Sequence, residues 1–217
     1  MPARVPSATE LTDVRLRGWL EALIATPGLT AVRNLDEARA LHVDGALLAS
    51  PWLKAGSVVD VGSGGGSPGI PLAATRPDLE VTLLEATGKK VAFLRRWAKE
   101  FDNVAVEHAR AEELAKAAGR EAFDFAVARA LAPPAVALEW ALPLVRRGGR
   151  FVLYTTRPHR DLVAQIAPLL GGQLIDAADA AGSDRMLCIV EKSAETPARF
   201  PRRVGIARKR PLQPPRN

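Results

Sequence analysis

Asp60, Glu85, Glu112 and Arg129 each stand at or just past the end of an apolar run, and the first leads into Gly62-Ser-Gly-Gly-Gly66. Ahead of Asp60, the β-branched Val58 and Val59 predict a buried central strand that stops abruptly at Gly62. Hydrogen in place of side chains lets the following backbone take φ > 0 and lets a ligand touch it directly. Pro68 to Pro71 then bring in a helix whose first N–H groups face whatever sits over the glycines. Two ligand classes use such a strand, turn and helix. Gly64, Gly66 and Gly69 satisfy the dinucleotide spacing G-x-G-x-x-G, a weak match in so glycine-rich a loop. Asp60 discriminates better. A carboxylate two residues before the first glycine suits a cationic, amine-bearing nucleoside such as S-adenosylmethionine and is not required by a pyrophosphate. Glu85 ends the run Val81-Thr82-Leu83-Leu84, where adjacent-strand geometry sets a carboxylate against ribose hydroxyls. These residues favour a methyl-donor site over a dinucleotide site or a tight turn without a ligand.

Ligands of open α/β sheets bind at the C-terminal edge of the strands, so strand-end residues carry the remaining information. Glu112, with the backbone of Ala111, is placed to hold the polar edge of adenine; alternatively Ala111-Glu112-Glu113-Leu114 starts a helix whose dipole favours acids. Arg129 falls beside the expected reaction centre and is the candidate catalytic residue, unless it pairs with a structural carboxylate. A second constellation is the tail. Positions 198–217 hold seven basic residues and no acidic one, leaving 23 basic against 24 acidic residues before them, so the net charge of +6 belongs to the tail. Four prolines there rule out one long helix. Arg202, Arg203, Arg208, Lys209 and Arg210 are therefore expected on an extended arm suited to RNA phosphates, or on a solubilising end.

The elements that must position these residues alternate strand and helix after the glycine loop, which demands a mostly parallel sheet covered on both faces. Ser7 and Glu10 have capping-box spacing, and Leu16, Leu20, Leu23 and Ile24 recur at helical intervals until Pro27-Gly28. A second helix starts near Asn34 and is expected to bury Leu41 and Leu48 before Pro51. Strands follow near 103–106, 123–128, 150–155, 173–175 and 187–191, the last two antiparallel, with a helical stripe Ala135, Leu138, Leu142 and Val145 between. The expected organisation is an N-terminal helical cap over 1–53, a ligand-binding α/β domain over 54–197 and a basic tail over 198–217. No apolar run reaches the length of a membrane span or forms a signal peptide, so a cytoplasmic protein, working as a monomer, is expected. Cys188, alone in an apolar run, reads as a buried thiol, and His42, His108 and His159 lack metal-ligand spacing, so no metal is expected.

Absences narrow the acceptor. Leu131-Ala-Pro-Pro-Ala135 has neither the polar head nor the aromatic of the turn that exocyclic-amine methylation commonly uses, and carbon-5 methylation of a pyrimidine needs a nucleophilic cysteine that Cys188 is badly placed to be. A ring nitrogen with a free lone pair, such as guanine N7, needs only in-line placement. In RNA it is reachable in loops or opened segments rather than in an A-form groove.

Asp60-Val-Gly-Ser-Gly-Gly-Gly-Ser-Pro-Gly-Ile-Pro-Leu72, followed by Leu83-Leu-Glu-Ala-Thr-Gly-Lys-Lys90 and Val127-Ala-Arg-Ala130, resembles the RsmG (GidB) family of 16S rRNA guanine-N7 methyltransferases. The likeness extends to Gly28-Leu-Thr-Ala-Val-Arg33, His42-Val-Asp44, Phe200-Pro-Arg-Arg-Val-Gly-Ile206 and Lys209-Arg-Pro-Leu212. It implies a class I S-adenosylmethionine-dependent methyltransferase fold, Rossmann-like with seven strands, acting on a guanine of small-subunit ribosomal RNA or of an assembling small subunit. By matching positions it implies cofactor contacts at Gly62, Ser67, Ala111, Glu112 and Arg129, beside Asp60, Gly64 and Glu85 from the residues themselves. Ser67 stands where the family has a bulky apolar residue, Glu85 where it usually has aspartate, and Tyr154-Thr155-Thr156 lacks a frequent lysine. A methyltransferase for a small molecule or protein, or an RNA-binding relict without catalysis, are the alternative readings.

Overall fold

The computed structural model describes residues 8–179 and 184–215. Seven strands form one sheet: β1 (Gly56–Val61), β2 (Leu79–Glu85), β3 (Val104–His108), β4 (Phe123–Arg129), β5 (Val145–Thr156), β6 (Gly172–Asp179) and β7 (Arg185–Lys192). Their order is β3-β2-β1-β4-β5-β7-β6, with β7 antiparallel to both of its neighbours and the other pairs parallel. β1 lies next to the central β4, and between them the chain crosses from one half of the sheet to the other, which is where such sheets open a crevice.

Alternation along each strand divides the core in two. Val59 and Val61 of β1, with Ala126, Ala128, Phe151 and Leu153, face α6 (Ala111–Leu114), α7 (Pro134–Ala141) and α8 (Arg160–Ile166). Val58, Leu83, Val127 and Val152 face the other way, against α1 (Ala8–Ala25), α4 (Gly69–Thr75) and α5 (Gly88–Ala98). Trp19, Leu20 and Leu23 of α1 are buried there, so the N-terminal cap shares its core with the sheet. The Ser7 of the expected capping box lies outside the described residues. No described helix is long and apolar enough to cross a membrane.

Two local expectations are corrected. Asn34 does cap α2 (Leu35–Arg39), its Oδ1 accepting the N–H groups of Asp36 (2.8 Å) and Glu37 (3.2 Å). The helix then widens into a π-turn over Ala40–Asp44 before α3 (Gly45–Leu47). The wider turn changes which residues face inward. His42, Val43, Ala46 and Ala49 are buried, whereas Leu41 is only half-buried and Leu48 is exposed. In the second case the stripe of Ala135, Leu138 and Leu142 is buried as expected, but Val145 begins β5 opposite Phe123 and does not end the helix.

The described part of the tail, 198–215, also departs from the expectation of an extended arm. Phe200 and Ala207 are buried against the first core, and α9 (Ile206–Lys209) packs the tail onto the sheet side that carries α7. Arg120 fastens its base by donating to the carbonyls of Thr196 (2.8 Å) and Phe200 (2.9 Å).

Candidate active site

The glycine turn after β1 is held by backbone on one side. The N–H groups of Gly62 and Ser63 donate to the Leu84 carbonyl at 2.8 and 3.1 Å, which ties the loop to the end of β2. Gly62, Gly64 and Gly66 all have positive φ, but for different reasons. A Cβ on Gly62 would strike Leu131 at 2.3 Å and one on Gly66 would strike Ile70 at 2.4 Å, whereas a Cβ on Gly64 would meet only the Gly62 carbonyl, at 3.8 Å. Gly64 therefore faces open space above the turn. From below, Trp19 Nε1 donates to the Gly65 carbonyl at 2.9 Å.

Asp60 sits behind this loop. It is 1% exposed, and its Oδ2 accepts the Gly69 N–H at 3.0 Å. Burial pushes its carboxyl up to about 7, against the opposing pull of the Gly69 hydrogen bond and of Arg129. Asp60 lines none of the cavities around the loop, so its direct work is to fix the start of α4 and shape the turn.

Glu85, in contrast, lies in the crevice. Its Oε2 accepts the Gly64 N–H at 3.0 Å and its Oε1 the Thr87 N–H at 2.7 Å. It lines a cavity of about 360 Å³ together with Gly62, Ala111, Glu112, Trp140 and Arg208. A second cavity, about 190 Å³, runs over Gly64, Ser67, Lys90 and Arg129. A third, about 650 Å³ and largely apolar in its lining, opens between His42, Leu48, Arg129, Tyr154, Thr155 and Leu187. Ala130 lines all three, and its φ of 52° puts a residue with a side chain in the left-handed region at their junction.

Arg129 closes β4 on the face that carries α1 to α5. Its Nη1 donates to the Leu41 carbonyl at 2.6 Å and its Nη2 to His42 Nδ1 at 2.8 Å. A guanidinium has no acceptor, so Nδ1 must accept and the ring proton resides on Nε2, which donates to Thr30 Oγ1 at 2.9 Å. Burial, reinforced by the charge of Arg129, lowers the His42 pKa to about 4, and the imidazole is neutral at physiological pH. Ser67 Oγ donates to the His42 carbonyl at 2.7 Å, and the Tyr154 hydroxyl donates to the carbonyl of Ala46. The π-turn thus clamps Arg129 at the mouth of the second and third cavities. Its hydrogen-bond partners are a carbonyl and an imidazole, not the structural carboxylate that the second sequence alternative allowed.

Residues 17–167 match the family model GidB, described as rRNA small subunit methyltransferase G. The chain belongs to this family. Curated relatives named Ribosomal RNA small subunit methyltransferase G include one from Chloroflexus aggregans, 40% identical over 195 residues that cover 85% of this chain and 82% of the relative. Another, from Roseiflexus castenholzii, is 40% identical over 211 residues, 92% and 88% of the two chains. Among solved structures, a T. thermophilus 16S rRNA N2 methyltransferase (RsmC) in complex with AdoMet and guanosine superposes with a TM-score of 0.56 at 21% identity, over 79% of this chain and 42% of that one. The Pyrococcus horikoshii protein PH0226 gives 0.58 at 16% identity, over 79% and 98%. Both likenesses carry the class I methyltransferase fold.

In this GidB-family chain the structure brings Gly62, Glu85, Ala111 and Glu112 to one cavity and Gly62, Gly64, Ser67 and Arg129 to a second that adjoins it at Gly62, Lys90 and Ala130. Arg202 is not on a free arm: its Nε and Nη2 donate to the fully buried carboxylate of Glu139 at 2.8 and 2.5 Å. Arg203, Lys209 and Arg210 remain exposed, and Arg208 reaches the crevice instead of leaving it. Sequence reasoning left three residues out of the site: His42, Tyr154 and Trp140. For His42 no signal in the surrounding residues stood out, since Arg39 and Asp44 make the same helical stretch polar. Cys188 is buried, with its thiol pushed up to about 11 by burial. Among the described residues no cluster of His, Cys, Asp or Glu could hold a metal ion.

Proposed function

We propose that the protein transfers a methyl group from S-adenosylmethionine to N7 of a guanine in 16S ribosomal RNA, with the crevice along Glu85, Gly64 and Arg129 as the active site. The observation that carries this reading is that three cavities adjoin at Ala130, which sets a nucleoside-sized cleft beside a second compartment, with Arg129 lining the latter.

The residues fit the cofactor. Glu85 stands where ribose hydroxyls are held, Gly64 leaves its backbone open to close approach, and Ala111 and Glu112 begin α6 at the adenine end. S-adenosylmethionine supplies an electrophilic methyl carbon on a positively charged sulfur. The acceptor N7 has an in-plane lone pair and no proton, so the site needs no general base, and neutral His42 is suited to holding Arg129 rather than to taking a proton. Binding and in-line placement of the base do most of the work. The 650 Å³ compartment, floored by Tyr154 and walled by Leu48 and Leu187, suits an unstacked purine taken out of its RNA context. Arg129 at its mouth can donate toward acceptor atoms of that base without competing for the nucleophilic lone pair. The exposed Arg203, Lys209 and Arg210 fit phosphate contacts near the crevice. The protein works in the cytoplasm, where small subunits are assembled.

Labelled methyl transfer to small subunits from cells lacking the gene, followed by nucleoside digestion, tests the reading. One N7-methylguanine per subunit is expected. Label in another nucleoside, or none in RNA, overturns it.

A further inference from the structure

The tail that charge alone assigns to RNA folds back on the nucleoside end of the crevice. Arg202 pairs with Glu139 on α7, and the Gly205 N–H donates to Glu112 Oε1 at 3.1 Å. Those two fastenings leave Ala207 buried and bring Arg208 over Trp140, the residue after Glu139, with the guanidinium carbon 5.1 Å from the ring centroid. Trp140 and Arg208 line the same 360 Å³ cavity as Glu85, Ala111 and Glu112. Trp140 is only 8% exposed, and its indole N–H is buried with no acceptor in the protein.

We propose that Trp140 and Arg208 form the wall that receives the adenine ring of the cofactor, and that the tail is folded over α7 to supply Arg208 to that wall. This rests on the methyltransferase reading above. Adenine offers a flat π face for the exposed guanidinium, which the Trp140 ring backs from the other side in a cavity that both residues line. Glu112 then serves twice, at the adenine edge and as the anchor of Gly205, so seating of the tail and occupancy of the cleft favour one another. The wall acts on the adenosine half, which substrate and product share, and not on the sulfonium.

Calorimetric titration of the full-length protein with S-adenosylmethionine and with S-adenosylhomocysteine tests this. Arg208→Met is expected to weaken both ligands by the same factor, about three- to thirtyfold. Trp140→Phe keeps an aromatic ring behind the guanidinium and is expected to weaken both ligands less than Arg208→Met does, while abolishing most of the tryptophan fluorescence change on binding. Lys116→Ala, exposed just beyond α6 but outside the cavity, should leave both affinities at the wild-type value. Because Arg208 is at the surface, its variant folds even if Trp140→Phe does not. Wild-type affinity in Arg208→Met, or different factors for the two ligands, overturns the wall. If the wild-type protein binds neither ligand, the methyltransferase reading falls and the wall with it.

Discussion

Arg129 and His42, 87 positions apart in the chain, meet at 2.8 Å between guanidinium Nη2 and imidazole Nδ1. The contact makes the N-terminal segment part of the site, because the π-turn that turns His42 inward also supplies the Leu41 carbonyl to the same guanidinium.

His42→Ala removes the imidazole that accepts from the buried Arg129 guanidinium, leaving the Leu41 carbonyl, and frees Arg129 to turn. A hydrogen bond to a charged group is worth about 1.5–3 kcal/mol, so turnover is expected to fall about ten- to hundredfold. Affinity for S-adenosylhomocysteine should stay within about threefold, since the adenosine contacts are elsewhere. Single-turnover rates and titration of the same preparation separate the two, and unchanged turnover would show that the clamp is dispensable.

Gly64 and Gly65 are neighbours with opposite expected phenotypes. A side chain at Gly64 enters open crevice, so Gly64→Val should fold, at a cost of about 1–2 kcal/mol for its φ of 58°, and lose cofactor binding. A Cβ at Gly65 lies 2.2 Å from Leu23 of α1, so Gly65→Val should lower the melting temperature far more. Thermal melts with and without S-adenosylhomocysteine distinguish them: the Gly64 variant should show no ligand-induced shift.

The carboxyl of Asp60 is raised from its ordinary 3.8 to about 7 in the fold. Between those values the folded chain keeps a proton that the unfolded chain has lost. Its contribution to stability is therefore complete below about pH 4 and declines as pH rises through about 7. Asp60→Asn keeps an acceptor for the Gly69 N–H but cannot ionise. Denaturant melts at about pH 5 and about pH 8 should show the wild type losing stability relative to the variant; a constant difference would mean that Asp60 titrates alike folded and unfolded.

Arg202→Ala should act on folding before it acts on RNA. Glu139, 0% exposed, would retain only the Arg202 backbone N–H, at 3.1 Å, of its present donors. Removing one partner of a buried pair costs about 3–5 kcal/mol, and the quarter exposure of the Arg202 side chain reduces that to about 2–4 kcal/mol. Adding Glu139→Gln should restore part of it. A stable Arg202→Ala protein whose only defect is weaker, salt-sensitive RNA binding would return the residue to a phosphate-binding arm.

The glycine turn, the strands and the seven-stranded, doubly covered sheet were legible in the chain because they follow from local sterics and from the alternation of β-branched runs with helical stripes. Gly64 and Glu85 could be read as site residues for the same reason: the end of a strand is a local event, and a crevice follows from strand order. What the tertiary structure alone decided is where each charge is spent. Asp60 turned to the Gly69 N–H and Arg202 to Glu139 across 63 positions, so two groups that looked outward in sequence are consumed inside, while the π-turn holds Arg129 at the cavity mouth. The physical reason is burial. A buried ion must find a donor or acceptor from whatever element packs against it, and that element is chosen by the folded sheet rather than by neighbours in the chain.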